Sequence, residues 1–100
     1  MTVYVRYAHK VEKLTLDLAQ ARENVQIAAD AVADTILAKP AANFTLKFVF
    51  YDGTSLELNQ DEVAAGDSFR WDINRLYLSN TAQPGYTLKL LVEYQVAAEK

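Results

Sequence analysis

Apolar residues at every second position are the feature of this sequence that most restricts its fold. Successive side chains of a β-strand point to opposite faces, so this period predicts strands with one buried face. The clearest run is residues 44–51, and residues 75–94 show the same alternation on both sides of the polar segment 80–85. We interpret residues 75–94 as a hairpin around which the rest of the chain is organised. In the 44–51 run, the side chains that share one face are Phe44, Leu46, Phe48 and Phe50.

Turn sequences that contain glycine separate the alternating runs. Asp52-Gly53 predicts a hairpin with a type I′ turn, which requires positive φ at both central residues. Pro84-Gly85 predicts a type II turn, because proline fixes its own φ and the glycine after it accepts positive φ. Gly66 lies in a third turn-forming segment. All three glycines are thereby assigned to turns, and none remains for a phosphate-binding loop.

Residues 11–38 carry two conflicting patterns. Seven apolar residues fall at heptad spacing in a stretch rich in alanine, which favours one long helix. Leu14, Leu16 and Leu18 instead alternate with polar residues, and β-branched residues are frequent for a helix. The strand pattern is the one we favour. It predicts strands at 12–18, 25–28 and 32–38, with a polar turn or a single helical turn at 19–24.

Two shorter strands complete the predicted set. Alternation at the N-terminus predicts a strand at 2–7, an edge strand that leaves the body of the domain and is linked onward by residues 8–10. The return strand of the Asp52-Gly53 hairpin is predicted at 54–58, with Leu56 and Leu58 pointing inward.

The sequence therefore predicts an all-β fold. About eight short strands with turn signals at intervals of roughly ten residues are typical of a β-sandwich or a small barrel. A chain of 100 residues amounts to one domain. We predict a small antiparallel β-sandwich or jelly-roll-like barrel, in a single domain of residues 1–100, with at most one short helix in 11–38.

Composition argues against several classes of protein. The formal net charge is −3 and the basic residues are scattered, so no basic patch indicates a nucleic-acid partner. No apolar run is long enough to span a membrane, and the N-terminal segment lacks the continuous apolar stretch of a signal peptide. With no cysteine, the chain forms neither a disulfide nor a thiolate metal site. We expect synthesis in a cytoplasm, with neither nucleic acid nor membrane as a partner.

No set of side chains in the sequence indicates catalysis. His9 is the only histidine, so neither a histidine metal cluster nor a Ser-His-Asp triad is indicated. The carboxylates are dispersed, and nothing in their spacing selects a glycosidase pair. We predict a non-enzymatic protein that uses no cofactor and no metal.

Aromatic side chains are the one excess that suggests a binding surface. Tyr51, Trp71 and Tyr77 are candidates to point away from the phenylalanine face of residues 44–51. As a contact surface they would meet a protein partner or stack on a sugar, since tryptophan and tyrosine are enriched at interfaces. Alternatively, a two-sheet fold buries both faces of its strands and these rings with them. The candidate partner-binding residues are Tyr4, Arg6, Tyr7, Trp71 and Tyr77.

One stretch resembles a known kind of protein. The run Arg75-Leu76-Tyr77-Leu78-Ser79-Asn80, followed by Ala82-Gln83, Gly85, Leu88 and Leu90-Leu91, is similar to the ending of small accessory virion proteins of tailed bacteriophages. Leu16-Asp17-Leu18, Ala21-Arg22 and Ile27 also fit the opening of such sequences. The departures are Pro84, where the pattern often has alanine, and the continuation through Glu93-Tyr94. The resemblance covers residues 13–93, is strongest at 69–92, and brings no catalytic residues with it.

The resemblance implies a jelly-roll-like or cupin-like sandwich that serves as a structural part of a phage particle. It leads us to expect a capsid decoration (cement) protein, assembled in the host cytoplasm and located on the capsid surface of the virion. Its expected partners are the major capsid protein and copies of itself as a trimer, with residues 2–7 added to a neighbour's sheet edge. The alternatives are a tail or head-fibre component, a carbohydrate-binding module that uses Trp71, Tyr77 and Tyr86, and a small cupin-type enzyme.

Overall fold

The strands pair into two antiparallel sheets of four, packed face to face. A computed structural model describes the backbone of residues 6–98 and the side chains of residues 9–95. The sheet orders are β1-β8-β3-β6 and β2-β7-β4-β5, which is the strand order of a jelly roll, so the predicted all-β sandwich is confirmed. The strands are β1 (Arg6–Asp17), β2 (Arg22–Ala31), β3 (Ala33–Ala38), β4 (Thr45–Phe50), β5 (Ser55–Asn59), β6 (Ser68–Phe69), β7 (Ile73–Asn80) and β8 (Thr87–Ala98), with a single 3-10 turn at Gln60–Glu62 among the described residues.

Residues 11–38 form strands, as the alternation of leucines predicts, and no helix interrupts them. Strand β2 is longer than the predicted 25–28, and its register with β7 shifts twice, between Arg22 and Val25 and between Gln26 and Ala28. Such bulges place extra residues in one strand and break the period of two. This irregularity is the reason that the sequence of β2 resembles neither a clean strand nor a clean helix.

The core lies between the two sheets. The phenylalanine face of β4 is buried as predicted, and Phe48 is fully enclosed between the sheets. Alternate residues of the facing strands complete this core, which follows from the period of two in each strand. Its largest fully buried side chains include Phe44, Phe48, Leu18, Ile36, Leu46, Ile73, Leu76, Leu78, Leu88, Leu90 and Val92.

The predicted hairpin of residues 75–94 is wrong in its pairing. Strand β7 pairs with β2 and β4, whereas β8 pairs with β1 and β3, so the two strands belong to different sheets. Their alternation was interpreted correctly, because each strand does bury one face. The connection of residues 81–86 is long enough to cross the roughly 10 Å between packed sheets, whereas tight hairpins use two to five residues. Gly85 in this connection has φ +88, as predicted.

The β4–β5 hairpin forms at the predicted place with a different turn. Gly53 has φ +89, but Asp52 is not among the residues with positive φ, so the turn is not type I′. The Gly53 amide donates to the Phe50 carbonyl at 3.1 Å, and the Phe50 amide donates to the Thr54 carbonyl at 2.9 Å. This is a three-residue loop in which a type I turn is followed by a left-handed glycine. The Asp52 carboxylate accepts hydrogen bonds from the Thr54 amide and hydroxyl, which stabilises that alternative.

Strand β5 shows how an edge position alters burial. The alternation predicts that both Leu56 and Leu58 point inward, yet Leu56 is 40% exposed and only Leu58 packs against the core. Strand β5 is the last strand of its sheet, and β6, at the edge of the opposite sheet, has only two residues. The core is therefore left partly open above Leu56.

Strands β1 and β8 extend beyond the rest of the sandwich. They pair without a register shift from Arg6–Ala98 to Asp17–Thr87, whereas the pairing of β3 with β8 ends at Ala33–Glu93. We call residues 6–10 and 94–98 the ribbon; its two strands have no third strand beside them in the described chain. Residues 8–10 belong to this continuous strand, so the predicted link there is wrong. The molecule is correspondingly long, with extents of 57 × 26 × 21 Å.

Candidate interaction surfaces

Within the described residues 6–98, strand β1 has an edge along which no other strand pairs. It is the outermost strand of its sheet, so only one of its sides is paired, with β8. The Leu18 amide, just beyond β1, donates to the Tyr86 carbonyl at 2.9 Å in the same register. In an extended strand the backbone groups of alternate residues point to opposite sides. Even-numbered residues therefore bond to β8, and the amides and carbonyls of His9, Val11 and Lys13 point to the open edge.

The backbone of β3 gives the same alternation independently. The Val32 amide donates to the Glu93 carbonyl at 2.8 Å, so the backbone groups of Glu93 point away from β1 and towards β3. The backbone groups of the neighbouring residue Val92 therefore point towards β1, where Val92 is paired with Glu12. This again leaves Val11 with its backbone groups at the open edge, where its side chain is 51% exposed.

Charged side chains surround the base of the ribbon. On the inner face, which also carries the core leucines of β1, the Lys10 Nζ lies 5.5 Å from the centre of the Tyr94 ring. On the outer face, the His9 Nε2 is 2.9 Å from the Glu93 Oε1, and the Arg70 guanidinium lies 3.9 Å from the same carboxylate. Glu93 thus joins β1, β8 and the segment that follows β6.

The predicted N-terminal candidates fall partly within this edge. Tyr4 lies outside the described residues, and so does most of the predicted strand 2–7. The backbones of Arg6 and Tyr7 are part of β1, paired with Ala98 and Ala97 of the same chain. Arg6 and Tyr7 are thus already paired with β8 on one side, and their other side belongs to the open edge.

Trp71 packs into the core rather than away from it. Its ring meets the ring of Phe48 edge-on, with centroids 5.3 Å apart, and the ring of Phe50 in the same way at 5.7 Å. A third ring, that of Phe69, lies 5.1 Å from it. These contacts agree with the interpretation in which the sandwich buries both faces, and Trp71 does not point away from the phenylalanine face.

Tyr77 and Tyr51 are not part of the aromatic cluster in which Trp71 packs. Tyr77 is on the outer face of the second sheet, half-buried, in register with Gln26 on one side and Lys47 on the other. The exposed Tyr51 hydroxyl donates to the Asp30 carboxylate at 2.5 Å, and this hydrogen bond is the main cause that raises the pKa of Tyr51. The structure therefore does not gather the predicted aromatic candidates into one surface.

The proposed sugar-stacking set is also separated. Trp71 precedes the start of β7, whereas Tyr86 follows its end, so the eight residues of the strand lie between them. Tyr77 lies on the opposite side of the sheet from the core in which Trp71 packs. These three rings cannot stack on one small sugar.

An open cleft of about 300 Å³, lined mostly by residues with polar side chains, lies at the end of the sandwich opposite the ribbon. Hydrogen bonds between loops form its walls: the Asn43 amide donates to Gln83 Oε1 at 2.8 Å, and Gln83 Nε2 donates back to the Asn43 carbonyl at 2.7 Å. Gln60 Nε2 donates to Asn43 Oδ1 at 3.0 Å. The cleft is lined by Arg22, Asn43, Phe44, Thr45, Gln60, Ser79, Asn80 and Thr81.

Asn80 closes the floor of this cleft. Only 8% exposed, it donates to the carbonyls of Gln20 and Thr81, each at 2.8 Å, and accepts from Arg22 at 3.0 Å. The sequence predicts that Asn80 and Gln83 bond the backbone of their own loop. They do bond backbone groups, but chiefly those of neighbouring loops, because several loops converge at this end of the fold.

Asp34 is a buried carboxylic acid with no hydrogen-bond partner among the described residues. It lies on β3 between Val92 of β8 and Phe69 of β6, on the strand face that carries the core residue Ile36. Burial deprives the charged form of water and raises the pKa of Asp34 to about 7. The alternating pattern of 32–38 gives Asp34 an inward position, but the sequence offers no sign that it lacks a partner.

Val11, Lys10 and Glu12 were not among the predicted candidates, because residues 8–10 were predicted to form a link. Part of the signal was present: Leu14, Leu16 and Leu18 alternate with polar residues, and the same period of two can be continued towards residue 10. A strand that begins earlier would have placed Lys10 and Glu12 on the leucine face. Within the described residues, no group of three or more His, Cys, Asp or Glu side chains is arranged to hold a metal ion. Among the described residues there is also no helix that is long and apolar enough to cross a membrane.

Comparison with known proteins gives no match among protein-family models, curated proteins or solved structures. The strand order defines the class of fold, a jelly-roll sandwich, and the resemblance to phage virion proteins stays a prediction.

Proposed function

We propose that this chain is a non-enzymatic structural protein of a bacteriophage particle, a decoration protein that stabilises the capsid by bridging neighbouring capsomers. The observation that supports this proposal most directly is the jelly-roll sandwich with an open edge strand of 12 residues. Jelly rolls are common in viral capsid proteins, and exposed strand edges accept strands from other chains. The resemblance of residues 69–92 to accessory virion proteins points to the same role.

The proposed partners are the major capsid protein and further copies of this chain. Self-association is assigned to the β1 edge, because its backbone groups are already oriented for another strand. The outer face around Tyr77 is assigned to the capsid, since tyrosine is enriched where protein surfaces meet.

The test is the location of the protein in purified particles of the virus that encodes it, by density in a particle reconstruction and by labelled antibody. Density on the capsid surface is the expected result. A Tyr77→Ala variant should reduce occupancy, whereas Tyr86→Ala, which removes a tyrosine from the loop 81–86, serves as the matched control. Density in the tail or a head fibre would favour the alternative virion position. Absence from particles would overturn the virion role.

A carbohydrate-binding module is the second candidate, and the cleft is the observation that favours it. Amide and guanidinium groups, such as those of Asn43, Gln60 and Arg22, are suited to hydrogen-bond adjacent sugar hydroxyls. A glycan array with the purified protein, repeated with Gln60→Ala, tests it. Specific binding that Gln60→Ala removes would support the module. Quenching of Trp71 is not a suitable signal, because that ring lies at the other end of the sandwich.

A further inference from the structure

We propose that two copies of this chain associate through β1, antiparallel about a two-fold axis at Val11, so that their β1-β8-β3-β6 sheets join into one sheet of eight strands. This inference specifies the self-association within the proposed function and rests on that part of it alone. It differs from the trimer expected from the sequence, because a strand paired with its own symmetry copy forms a closed pair.

Backbone orientation permits this pairing. In an antiparallel pair, two residues exchange both hydrogen bonds only when both direct their backbone groups towards the shared edge. Odd-numbered residues of β1 point to the open edge, and a two-fold axis at Val11 sets odd residues opposite odd residues. Val11 then bonds to Val11 of the second copy, and His9 to Lys13. No rearrangement of the β1–β8 pairing is needed, because that pairing uses the even-numbered residues.

Among the axes from Lys10 to Lys13, charge favours the register centred on Val11. With the axis at Val11, Lys10 of each copy lies directly opposite Glu12 of the other, and this contact occurs twice. An axis at Lys10, Glu12 or Lys13 instead would place two like charges directly opposite each other, which is destabilising. His9 lies opposite Lys13 in the chosen register, and Glu93 of its own chain stands 2.9 Å from its ring. Of the axes from Lys10 to Lys13, only the one at Val11 brings opposite charges together.

Exposure points to the same contact. Val11 is 51% exposed, and cross-strand pairs of β-branched residues stabilise a sheet. A long open edge is usually blunted by charged side chains on its inner face, and Lys10 and Glu12 would serve that purpose in an isolated chain. In the paired arrangement the same two residues neutralise each other across the axis. They therefore discourage pairing with unrelated strands and allow pairing with a second copy.

Sedimentation velocity of the purified chain over a wide concentration range tests the proposal. We expect a dimer whose fraction rises with concentration. Val11→Pro removes the central edge donor without loss of a bond to β8, since proline is tolerated where the amide faces outward. This variant should be monomeric with an unchanged far-ultraviolet circular dichroism spectrum. Val11→Thr keeps the amide and the branched shape, and should still form dimers.

Charge reversal tests the register itself. Lys10→Glu turns two attractive contacts into two repulsive ones, so the dissociation constant of the dimer should rise on the order of tenfold. The double variant K10E/E12K exchanges the charges and should restore the affinity. Weakening by the single variant without recovery in the double variant would overturn the register at Val11.

A monomer at every concentration, or a trimer, would overturn the dimer. Neither result bears on whether the protein is a virion component, which the particle experiment decides separately. Conversely, a dimer that responds to the Val11 and Lys10 variants supports this inference even if the protein is absent from particles.

Discussion

The two ends of the sandwich treat a buried polar side chain in opposite ways. At the cleft end, Asn80 is almost fully buried and its amide has partners on two loops and on Arg22. At the ribbon end, Asp34 is fully buried and its two carboxylate oxygens have no partner. A satisfied polar group fixes the chain in one arrangement, whereas an unsatisfied acid makes stability depend on its protonation. The cleft end is therefore expected to be insensitive to pH at Asn80, and the ribbon end sensitive at Asp34.

The largest expected effect is that of pH at Asp34. The pKa of Asp34 is raised from 3.8 to about 7, so the folded state holds a proton that the unfolded state releases. The stabilisation of the folded state by this proton is fully present below pH 3.8 and is lost as the pH rises to 7. The free energy of unfolding changes by about 4 kcal/mol over this range, at 1.36 kcal/mol for each pKa unit. Urea unfolding of the wild type and of Asp34→Asn between pH 4 and pH 8 measures it. The variant should be the more stable protein at pH 8 and lack this slope.

Equal pH slopes for the wild type and Asp34→Asn would remove the contrast between the two ends. Because other groups titrate in the same range, the informative quantity is the difference between the two proteins at each pH. This difference should be largest at pH 8 and close to its minimum at pH 4.

A smaller loss is expected at the other end. Asn80→Ala leaves the carbonyls of Gln20 and Thr81 without their donor, and it should lower the free energy of unfolding by about 2 kcal/mol. The loss should be the same at pH 5 and at pH 8. Urea unfolding at both values measures it, with Thr81→Ala as the control, because the Thr81 side chain is exposed and forms no hydrogen bond among the described residues. A loss that grows with pH would contradict the assignment of titration to Asp34.

The smallest effect concerns backbone conformation at the ribbon end. Gly53→Val should cost on the order of 1–2 kcal/mol, because a branched residue resists the φ of +89 that this turn requires. No heavy atom lies within 4 Å of the place where a Cβ would stand, so the cost is conformational and not steric. Gly53→Asn should lose less, since asparagine tolerates positive φ. Thermal unfolding compares the three proteins, and an unchanged midpoint for Gly53→Val would show that this turn does not depend on glycine.

Periodicity predicted the fold well because it reports which face of a strand is buried. The inward residues of β4, such as Phe48, and those of β7 and β8, such as Leu78 and Leu90, are buried as the alternation requires. Periodicity does not report which strand lies beside which. For that reason β7 and β8 were predicted to pair, although they lie in opposite sheets.

The candidate surfaces were harder to predict, because they depend on the contacts that each residue makes in the folded chain. Trp71 belongs to a residue type that is enriched at interfaces, but in this fold three phenylalanine rings pack around it. Val11 was missed because the orientation of its amide follows from its pairing partner and not from its own identity. Asp34 was missed because the absence of a partner is a property of its surroundings.

The central position of β8 has a consequence for how the protein acquires its structure. Of the eight strands, β8 leaves the ribosome last, yet it lies between β1 and β3 in its sheet. While the first seven strands are being synthesised, β1 has no partner on either side and its sheet cannot close. The pairing of Arg6 with Ala98 also joins residues far apart in sequence, and such non-local contacts are typical of folding in milliseconds to seconds. The nascent chain therefore exposes both edges of β1 until β8 has been synthesised, and unpaired strand edges of this kind are prone to aggregation.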